Sequence, residues 1–204
     1  MMETSATGGP MLPTASMNSG QDKTLDLIAG DFVASVTGMP RDMIRRRWQK
    51  KPPKQPDVKD SATDDNDPDR CAVGVTDTSG DANAYQVHNQ TGDGSSTVNR
   101  HETVTVLASF YGPNACANAE LLRDGATVGQ NRAVLQNNGM ALRDFSSVRR
   151  VPELVNQQFI NRADFEIRLR RHVQRTYPIQ NVLSSDGTIM DGDMTDTFNT
   201  ENAE

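Results

Sequence analysis

The residues of this 204-residue chain whose types and spacing suggest chemistry are mostly arginines, and three of them are consecutive. Arg45, Arg46 and Arg47 stand directly before Trp48, the single tryptophan. Guanidinium groups bind phosphates and carboxylates, and an indole ring stacks on nucleobases or anchors a protein contact. The segment therefore indicates a binding surface, either for nucleic acid or for an acidic protein surface.

The overall charge favours a protein partner over nucleic acid. The net charge is -6 and the pI is about 5.1, whereas binding to a polyanion requires an excess of basic residues. Aspartates follow the basic run between positions 57 and 69 and would repel phosphates. All five lysines lie at or before Lys59, and the later cationic side chains are arginines, which suit fixed pairing with carboxylates at interfaces.

A second basic group lies in the segment 162–177, where odd positions are mostly apolar and even positions are polar. This is the period of a strand that has one buried face. The polar face carries Arg168, Arg170 and His172. We expect these side chains either to meet acidic groups of a neighbouring subunit or to face water.

Two arginines, Arg171 and Arg175, interrupt the apolar face of this predicted strand. They predict that the inward face leaves the core near Arg171 and that the dry part lies between Phe165 and Leu169. A strand of this length exceeds the usual five or six residues, so a bend or bulge is expected near Arg171.

Residues Asp65, Asp67 and Asp69 imitate the opening of a calcium-binding loop. The sixth position of such a loop must be glycine but is Arg70, and the twelfth must be an acid but is Thr76. A solvated acidic loop is therefore the better interpretation of this segment.

No other motif predicts catalysis or metal binding. His88, His101 and His172 are too scattered for a zinc site, and neither cysteine belongs to a CxxC pair. Cys116 has no base near it in the pattern, and the chain lacks a nucleotide-binding loop, a nucleophile elbow and an HExxH motif. We predict no catalytic residue, no metal and no cofactor, with an enzyme whose site is unrecognised kept as an alternative.

Composition limits how much of the chain can pack. Only 35% of the residues are hydrophobic and 5% are aromatic, and they concentrate in the segments 25–48 and 102–183. We predict an N-terminal extended arm (1–22), a folded domain (23–183) with a long charged loop inserted at 50–69, and an acidic, mobile C-terminal tail (184–204). Without a leader segment or an apolar run, and with Cys71 and Cys116 as free thiols, we expect a soluble protein made inside the cell.

The order of the elements predicts an α+β fold with a mostly antiparallel sheet flanked by helices. Helices are expected at 25–36, after Pro113, and at 131–137, where Asn138 and Gly139 end the last one. Strands are expected at 71–75, 85–88, 102–111 and 140–145, and a turn at 151–154 leads to the long strand.

Several linked motifs resemble the neck or tail terminator proteins of tailed bacteriophages. They are Ser-Phe-Tyr-Gly-Pro-Asn-Ala at 109–115, Leu-Arg-Asp-Gly at 122–125, Gln-Asn-Arg at 130–132, Pro-Glu-Leu at 152–154, and the strand from Arg162 with its Leu-Arg-Arg at 169–171. The resemblance covers roughly residues 102–183 and, more loosely, the helix at 25–36. The loop at 50–69 and the acidic tail have no counterpart in it.

This resemblance implies a structural virion protein that forms a homohexameric ring, caps the tail tube and joins it to the head-side neck proteins. The implied partners are other copies of itself, the tail tube protein and a head-side neck or connector protein, with the tail sheath as a further candidate. DNA would only pass through the channel, and no membrane is involved. A neck adaptor that contacts DNA is the alternative. The candidate interface residues are Arg45, Arg46, Arg47, Trp48, Tyr111, Arg132, Arg168, Arg170, Arg171, His172 and Arg175.

Overall fold

The computed structural model describes residues 8–17, 23–50, 68–155, 157–182, 184–191 and 194–201. The chain divides into two compact units. The first, here the core unit, comprises Asn18–Asn83 and Arg100–Val173. The second, here the acidic unit, comprises Met1–Met17, Ala84–Asn99 and Gln174–Glu204. The predicted domain boundaries at 22/23 and 183/184 stay predictions.

Helix α1 (Lys23–Thr37) opens the core unit and confirms the predicted first helix. Its apolar residues recur every three or four positions, so one face of the helix is buried, with Phe32 and Val33 almost fully inaccessible. Gly38 follows with a φ of +71°, a backbone conformation that favours glycine, and Pro40 prevents any continuation.

The centre of the core sheet is strand β5 (Ser95–Tyr111), which pairs with β3 (Arg70–Gly80) and with β10 (Arg162–Tyr177). The predicted strand at 102–111 lies within β5 and is central, as expected. Strand β2 (Ile44–Arg46) adds to β3 in the parallel direction, although no strand was predicted in this basic segment. Alternate residues of β5 from Val104 to Phe110 face the helices and are buried.

Helix α2 (Ala115–Gly125) and helix α3 (Ala133–Asn137) confirm the other two predicted helices. A 3-10 turn, Gln130–Arg132, precedes α3, and Gly139 ends it with a φ of +66°. The apolar stripe of α2 consists of small residues and one leucine, which lets the helix pack closely on α1 and the sheet. The buried members of this stripe are Ala115, Ala119, Leu122 and Ala126.

Two short strands, β6 (Met140–Phe145) and β7 (Arg149–Arg150), pair in the antiparallel direction with β10. Between β7 and β10, strands β8 (Glu153–Val155) and β9 (Gln158–Ile160) form a hairpin. The prediction of a turn at 151–154 was therefore wrong for its second half, because a local pattern of three residues cannot reveal a pairing partner.

The long strand β10 confirms the predicted period but corrects one of its details. The irregularity expected near Arg171 is present as a shift of the register with β6 between Arg168 and Leu169. The inward face does not leave the core at Arg171, since this residue and Val173 beyond it are both buried. A buried carboxylate partner allows an arginine to remain on that face.

The acidic unit is built from short pairings. Strand β1 (Ala15–Met17) pairs with β10 at residues 174–176, and β4 (Tyr85–Asn89) pairs with the start of β5. Strand β11 (Ser184–Asp191) and strand β12 (Met194–Glu201) form an antiparallel hairpin, here the acidic hairpin, whose strands pair only with each other among the described residues.

These strands correct the prediction that both chain ends lack regular structure. Part of the predicted arm is strand β1, and most of the predicted mobile tail is the acidic hairpin. At the end of the predicted folded domain, Val182 is exposed, and Leu183 lies outside the described residues. Of the predicted loop at 50–69, positions 51–67 also lie outside them. The fold class itself is confirmed: the protein is α+β, with a mostly antiparallel sheet and three α-helices among its described elements.

Candidate functional site

A polar network covers the sheet face that is opposite the helices. It joins β5 to β10 and to the residue that follows β2, because every second residue of a strand points to this face. The Arg47 guanidinium donates a hydrogen bond to Ser109 Oγ, and the Ser109 hydroxyl donates to Asp164 Oδ1. Ser109 is 0% exposed, so these partners satisfy a fully buried hydroxyl.

Arg162 ties the network to the β8–β9 hairpin. Its Nε lies 2.8 Å from Asp164 Oδ1 and its Nη2 lies 2.9 Å from Asp164 Oδ2, the two-point geometry that gives strong, directional pairing. Its Nη1 donates to Glu153 Oε2 at 3.2 Å. The hydrogen bonds that Arg162 donates to Asp164 raise the pKa of the guanidinium. The network therefore holds the hairpin in place through ion pairs.

Tyr111 lies between two guanidinium groups. The Arg70 guanidinium carbon is 5.3 Å from the ring centroid and that of Arg162 is 5.7 Å away, both within the range of cation–π attraction. Burial raises the pKa of Tyr111, and the positive charge of Arg162 opposes this shift. The phenol remains a neutral aromatic surface at physiological pH.

Trp48 has an unusual backbone and an exposed ring. Its φ is +53°, a conformation that costs a bulky residue roughly 1–3 kcal/mol and that occurs often at functional positions. The side chain is 71% exposed, and the Arg47 guanidinium lies 6.0 Å from the ring centroid. At Gly74, a Cβ would lie 3.0 Å from Arg47 Cβ and 3.2 Å from Trp48 Cζ3, so glycine allows this turn to lie against β3.

These residues form one continuous surface, here the arginine–aromatic surface. Arg45 belongs to it because it is exposed on β2 and points to the same side as Arg47. Exposed Leu154 and Phe159 of the β8–β9 hairpin flank it beside Arg162. The members of the surface are Arg45, Arg47, Trp48, Arg70, Tyr111 and Arg162.

The composition of the surface is that of a protein docking site. Trp, Tyr and Arg are the residue types most enriched where binding energy concentrates in interfaces. Among the described side chains, Asp164 and Glu153 pair with Arg162, while Arg45 is exposed. Arg47 Nε is buried with no hydrogen-bond partner among the described residues. The arrangement can accept an acidic partner that also presents apolar side chains.

The predicted basic face of β10 is already occupied by partners within the chain. Arg168 pairs with Asp144 at 2.6 Å, and Arg170 pairs with Asp81 at 2.7 Å. These are partly exposed ion pairs, so the two arginines are not unpaired charges awaiting a neighbouring subunit.

Arg171 is placed inside the protein and not on its surface. It is 5% exposed, and its Nε and Nη2 lie 3.0 Å and 2.9 Å from Glu102 Oε2. The expectation that it contributes to an exposed interface is therefore not supported by its position. It joins β10 to β5 across the core unit.

The remaining predicted residues are not members of the arginine–aromatic surface. His172 stacks on His101 with ring centroids 4.8 Å apart. Arg175 lies in the acidic unit, Arg132 precedes α3, and Arg46 points to the other side of β2 from Arg45. Of the eleven predicted residues, the structure brings together Arg45, Arg47, Trp48 and Tyr111.

Sequence reasoning missed four residues of this site: Arg70, Ser109, Arg162 and Asp164. A signal for two of them was present, because Arg162 and Asp164 stand two apart on the polar face of a strand. Ser109 gave no signal, since a serine on a half-apolar strand face is not distinctive.

The described residues contain no group of three or more His, Cys, Asp or Glu side chains that could hold a metal ion. Cys71 is buried, which raises the pKa of its thiol, and Cys116 accepts a hydrogen bond from Arg150 Nε at 3.4 Å. Asp69 accepts from the Asn114 backbone N–H at 3.0 Å at the start of α2, while Asp65 and Asp67 lie outside the described residues. No helix in the described ranges is both long and apolar enough to cross a membrane.

The fold and the surface together define a class: an α+β protein with a surface rich in arginine and aromatic side chains and with no metal-binding cluster among its described residues. The chain matches the family described as phage neck terminator protein over residues 23–193, which is most of its length. It therefore belongs to the phage neck terminator family, and the resemblance found in the motifs is confirmed. No curated protein matches the chain.

Family membership assigns the protein a structural role in the neck of the phage virion. It also implies contacts with other tail and neck proteins of the particle. The arginine–aromatic surface is a candidate for one of these contacts.

Proposed function

We propose that the chain forms a homohexameric ring that caps the tail tube and joins it to the head-side neck proteins. The observation that carries this proposal is the family match across residues 23–193. A terminator must stop the growth of a tube made of stacked rings, which a ring with the same rotational symmetry does most simply.

The mechanism follows from two unlike ring faces. One face repeats the contacts by which tube subunits bind each other, so it binds the growing end of the tube. The opposite face lacks those contacts and admits no further tube subunit, but it binds a head-side neck or connector protein. Six copies make weak contacts cooperative, because docking one subunit raises the effective concentration of the others.

The arginine–aromatic surface supports a contact of this kind. A ring closes only when one surface of each subunit complements a different surface of the next. Exposed Trp48, held in a strained backbone beside Arg47, offers an anchor for such a contact. The roles of Arg46, Arg132, His172 and Arg175 in subunit contacts remain predictions.

The decisive experiment measures the mass of the purified protein in solution and on assembled tail tubes, by light scattering and by cryo-electron microscopy of the tube ends. We expect a mass of six subunits, at least on the tubes, and tubes that stop growing after the protein is added. A phage that lacks the protein should produce tails of uncontrolled length. A monomer that never binds tubes, together with normal tail length in its absence, would refute the proposal.

A matched pair of variants tests whether the surface takes part. Trp48→Ala should weaken capping of tubes, whereas Tyr85→Ala removes another exposed aromatic ring, from the acidic unit, and should leave capping unchanged. Equal capping by both variants would show that Trp48 is not part of the contact.

The same surface favours one second candidate function, a neck adaptor that grips DNA. Trp48 beside Arg47 is an arrangement that can stack on bases and contact phosphates. Salt-dependent retention of duplex DNA by the purified protein, lost when Arg45, Arg46 and Arg47 are all changed to Ala, would favour this function. The net charge of -6 opposes it.

A further inference from the structure

The acidic hairpin has one face whose apolar side chains are not covered by its own two strands. Its register places Gly187 opposite Phe198 and Ile189 opposite Asp196, so Ile189, Phe198 and Asp196 share one face. Ile189 is 61% exposed and Phe198 is also exposed. The Phe198 ring lies over Gly187, where an added Cβ would be 2.6 Å from Cζ.

A hairpin of this kind needs a covering surface. Two strands alone are at best marginally stable in water, and exposed aromatic and branched side chains add an unfavourable contact with solvent. The segment 184–201 contains five acids and no base. The surface that covers it must therefore offer both positive charge and apolar or aromatic contact area.

The arginine–aromatic surface has this chemistry. Trp48 is exposed, and so are Leu154 and Phe159 of the β8–β9 hairpin. Arg45 and Lys50, which stand before and after Trp48 in the sequence, supply exposed positive charge.

We propose that the acidic hairpin of one copy docks on the arginine–aromatic surface of the next copy in the ring. Phe198 and Ile189 pack against Trp48, while Asp196 on the same face lies near Arg45 and Lys50. The contact is head-to-tail, because the two surfaces differ, and repetition of it around an axis closes a ring. This inference rests on the ring proposed above and names the contact that closes it.

Charge reversal on each surface provides the first test. The hairpin variant is Asp196→Lys, and the surface variant is Arg45→Glu with Lys50→Glu. All three side chains are exposed, so folding should be retained, which unfolding midpoints can verify. We expect each variant alone to weaken ring formation at least about 10-fold, because like charges then face each other across the contact.

Mixing the two variants separates contact between subunits from contact within one chain. In a 1:1 mixture, each Lys-bearing hairpin can meet a Glu-bearing surface, and each native hairpin can meet a native surface. Six is an even number, so an alternating ring satisfies every contact. We expect the mixture to restore rings that neither variant forms by itself.

If the hairpin binds somewhere other than a neighbouring copy, the same variants give different outcomes. If the hairpin docks on its own chain, a single chain that carries all three substitutions recovers ring formation but the mixture does not. If the hairpin binds a basic tube or neck protein, the hairpin variant forms normal rings and loses only that binding. Either result overturns the inference and leaves the ring intact. The absence of rings from the native protein, both in solution and on tubes, would instead overturn the proposed function.

Truncation of the apolar anchors gives an independent readout. Trp48→Ala should weaken association about 30-fold, as expected for an aromatic anchor in an interface centre, and Phe198→Ala should have a comparable effect. Asp93→Lys is the matched control, since Asp93 is an exposed acid of the acidic unit outside the hairpin. An effect of Asp93→Lys equal to that of the hairpin variant would show that only net charge matters, and would contradict a specific contact.

Discussion

The two units of this chain differ in what stabilises them. Every hydrophobic residue that is buried in the described ranges lies in the core unit, whereas the buried residues of the acidic unit are Ser96 and Asn99. The core unit contains twenty bases and nineteen acids, and the acidic unit contains one base and eight acids. The core unit is thus stabilised by apolar packing, and the acidic unit carries exposed charged and apolar side chains.

Hydrogen bonds between side chains replace apolar packing in the acidic unit. Gln174 Nε2 donates to Asn99 Oδ1 at 2.7 Å, and the His88 ring nitrogens lie 2.8 Å from Ser96 Oγ and 2.7 Å from Asn181 Oδ1. Each such bond adds only about 0.5–1.5 kcal/mol net to stability. A fully buried phenylalanine contributes more, which explains why the core unit should dominate the free energy of unfolding.

The largest expected contrast is between two phenylalanines. Phe165→Ala removes a fully buried ring and should lower the free energy of unfolding by about 3–5 kcal/mol. Phe198→Ala removes an exposed ring and should lower it by less than about 0.5 kcal/mol when the protein is monomeric. Urea unfolding of dilute protein measures both, and equal losses would remove the distinction between the units.

Breaking an ion pair should depend strongly on its burial. Glu102→Gln leaves the Arg171 charge buried without its carboxylate and should cost about 3 kcal/mol of unfolding free energy. Asp81→Asn breaks the exposed pair with Arg170 and should cost less than about 1 kcal/mol. Chemical denaturation of the two variants compares them directly, and a smaller loss for Glu102→Gln would place that pair in contact with water.

Alkaline pH should destabilise the core unit through Cys71. Burial raises the pKa of this thiol in the folded chain above its ordinary value near 9, so above about pH 9 the unfolded chain releases a proton that the folded chain keeps. Stability is therefore fully present below pH 9 and is lost as the pH rises, by about 1.4 kcal/mol per pH unit. The raised pKa of Tyr111 adds to the loss above about pH 10.

Unfolding curves between pH 8 and pH 10.5 measure this slope. Cys71→Ala should flatten it, whereas substitution of half-buried Cys116 by Ser should leave it unchanged. A slope that is the same in all three proteins would mean that the Cys71 thiol ionises in the folded state.

The smallest effect is expected for removal of the acidic hairpin. A chain that ends at Val182 should keep the free energy of unfolding of the full chain to within about 0.5 kcal/mol, because the strands of the hairpin pair only with each other in the described residues. Thermal unfolding of the dilute protein measures the change. A large loss would show that the hairpin stabilises its own chain. That result would argue against the proposed contact between copies.

Local patterns predicted the elements that depend only on neighbouring residues. The period of three to four residues predicted α1, and alternation predicted most of β5 and β10. Gly139 predicted where α3 ends, because a positive φ favours glycine. These signals depend on residues that are close in the sequence, so they can be interpreted without knowledge of the fold.

Pairings over long distances were missed or misread. Arg171 was expected at the limit of the core, but Glu102, 69 residues away in the sequence, makes its burial possible. The strands of the β8–β9 hairpin and of the acidic hairpin carry too few apolar residues for alternation to reveal them. Their structure depends on a partner strand and not on composition.

The sequence by itself determined the α+β class, the three helices, the two long strands and the family, since each follows from residue periods, glycine positions or linked motifs. Only the tertiary structure decided which arginines share a surface. Ser109 lies 62 residues from Arg47 and 55 from Asp164, and strand order and register bring the three together. An ion pair is defined by distance in space, and a linear pattern of charges holds no information about which distant strand will be the neighbour.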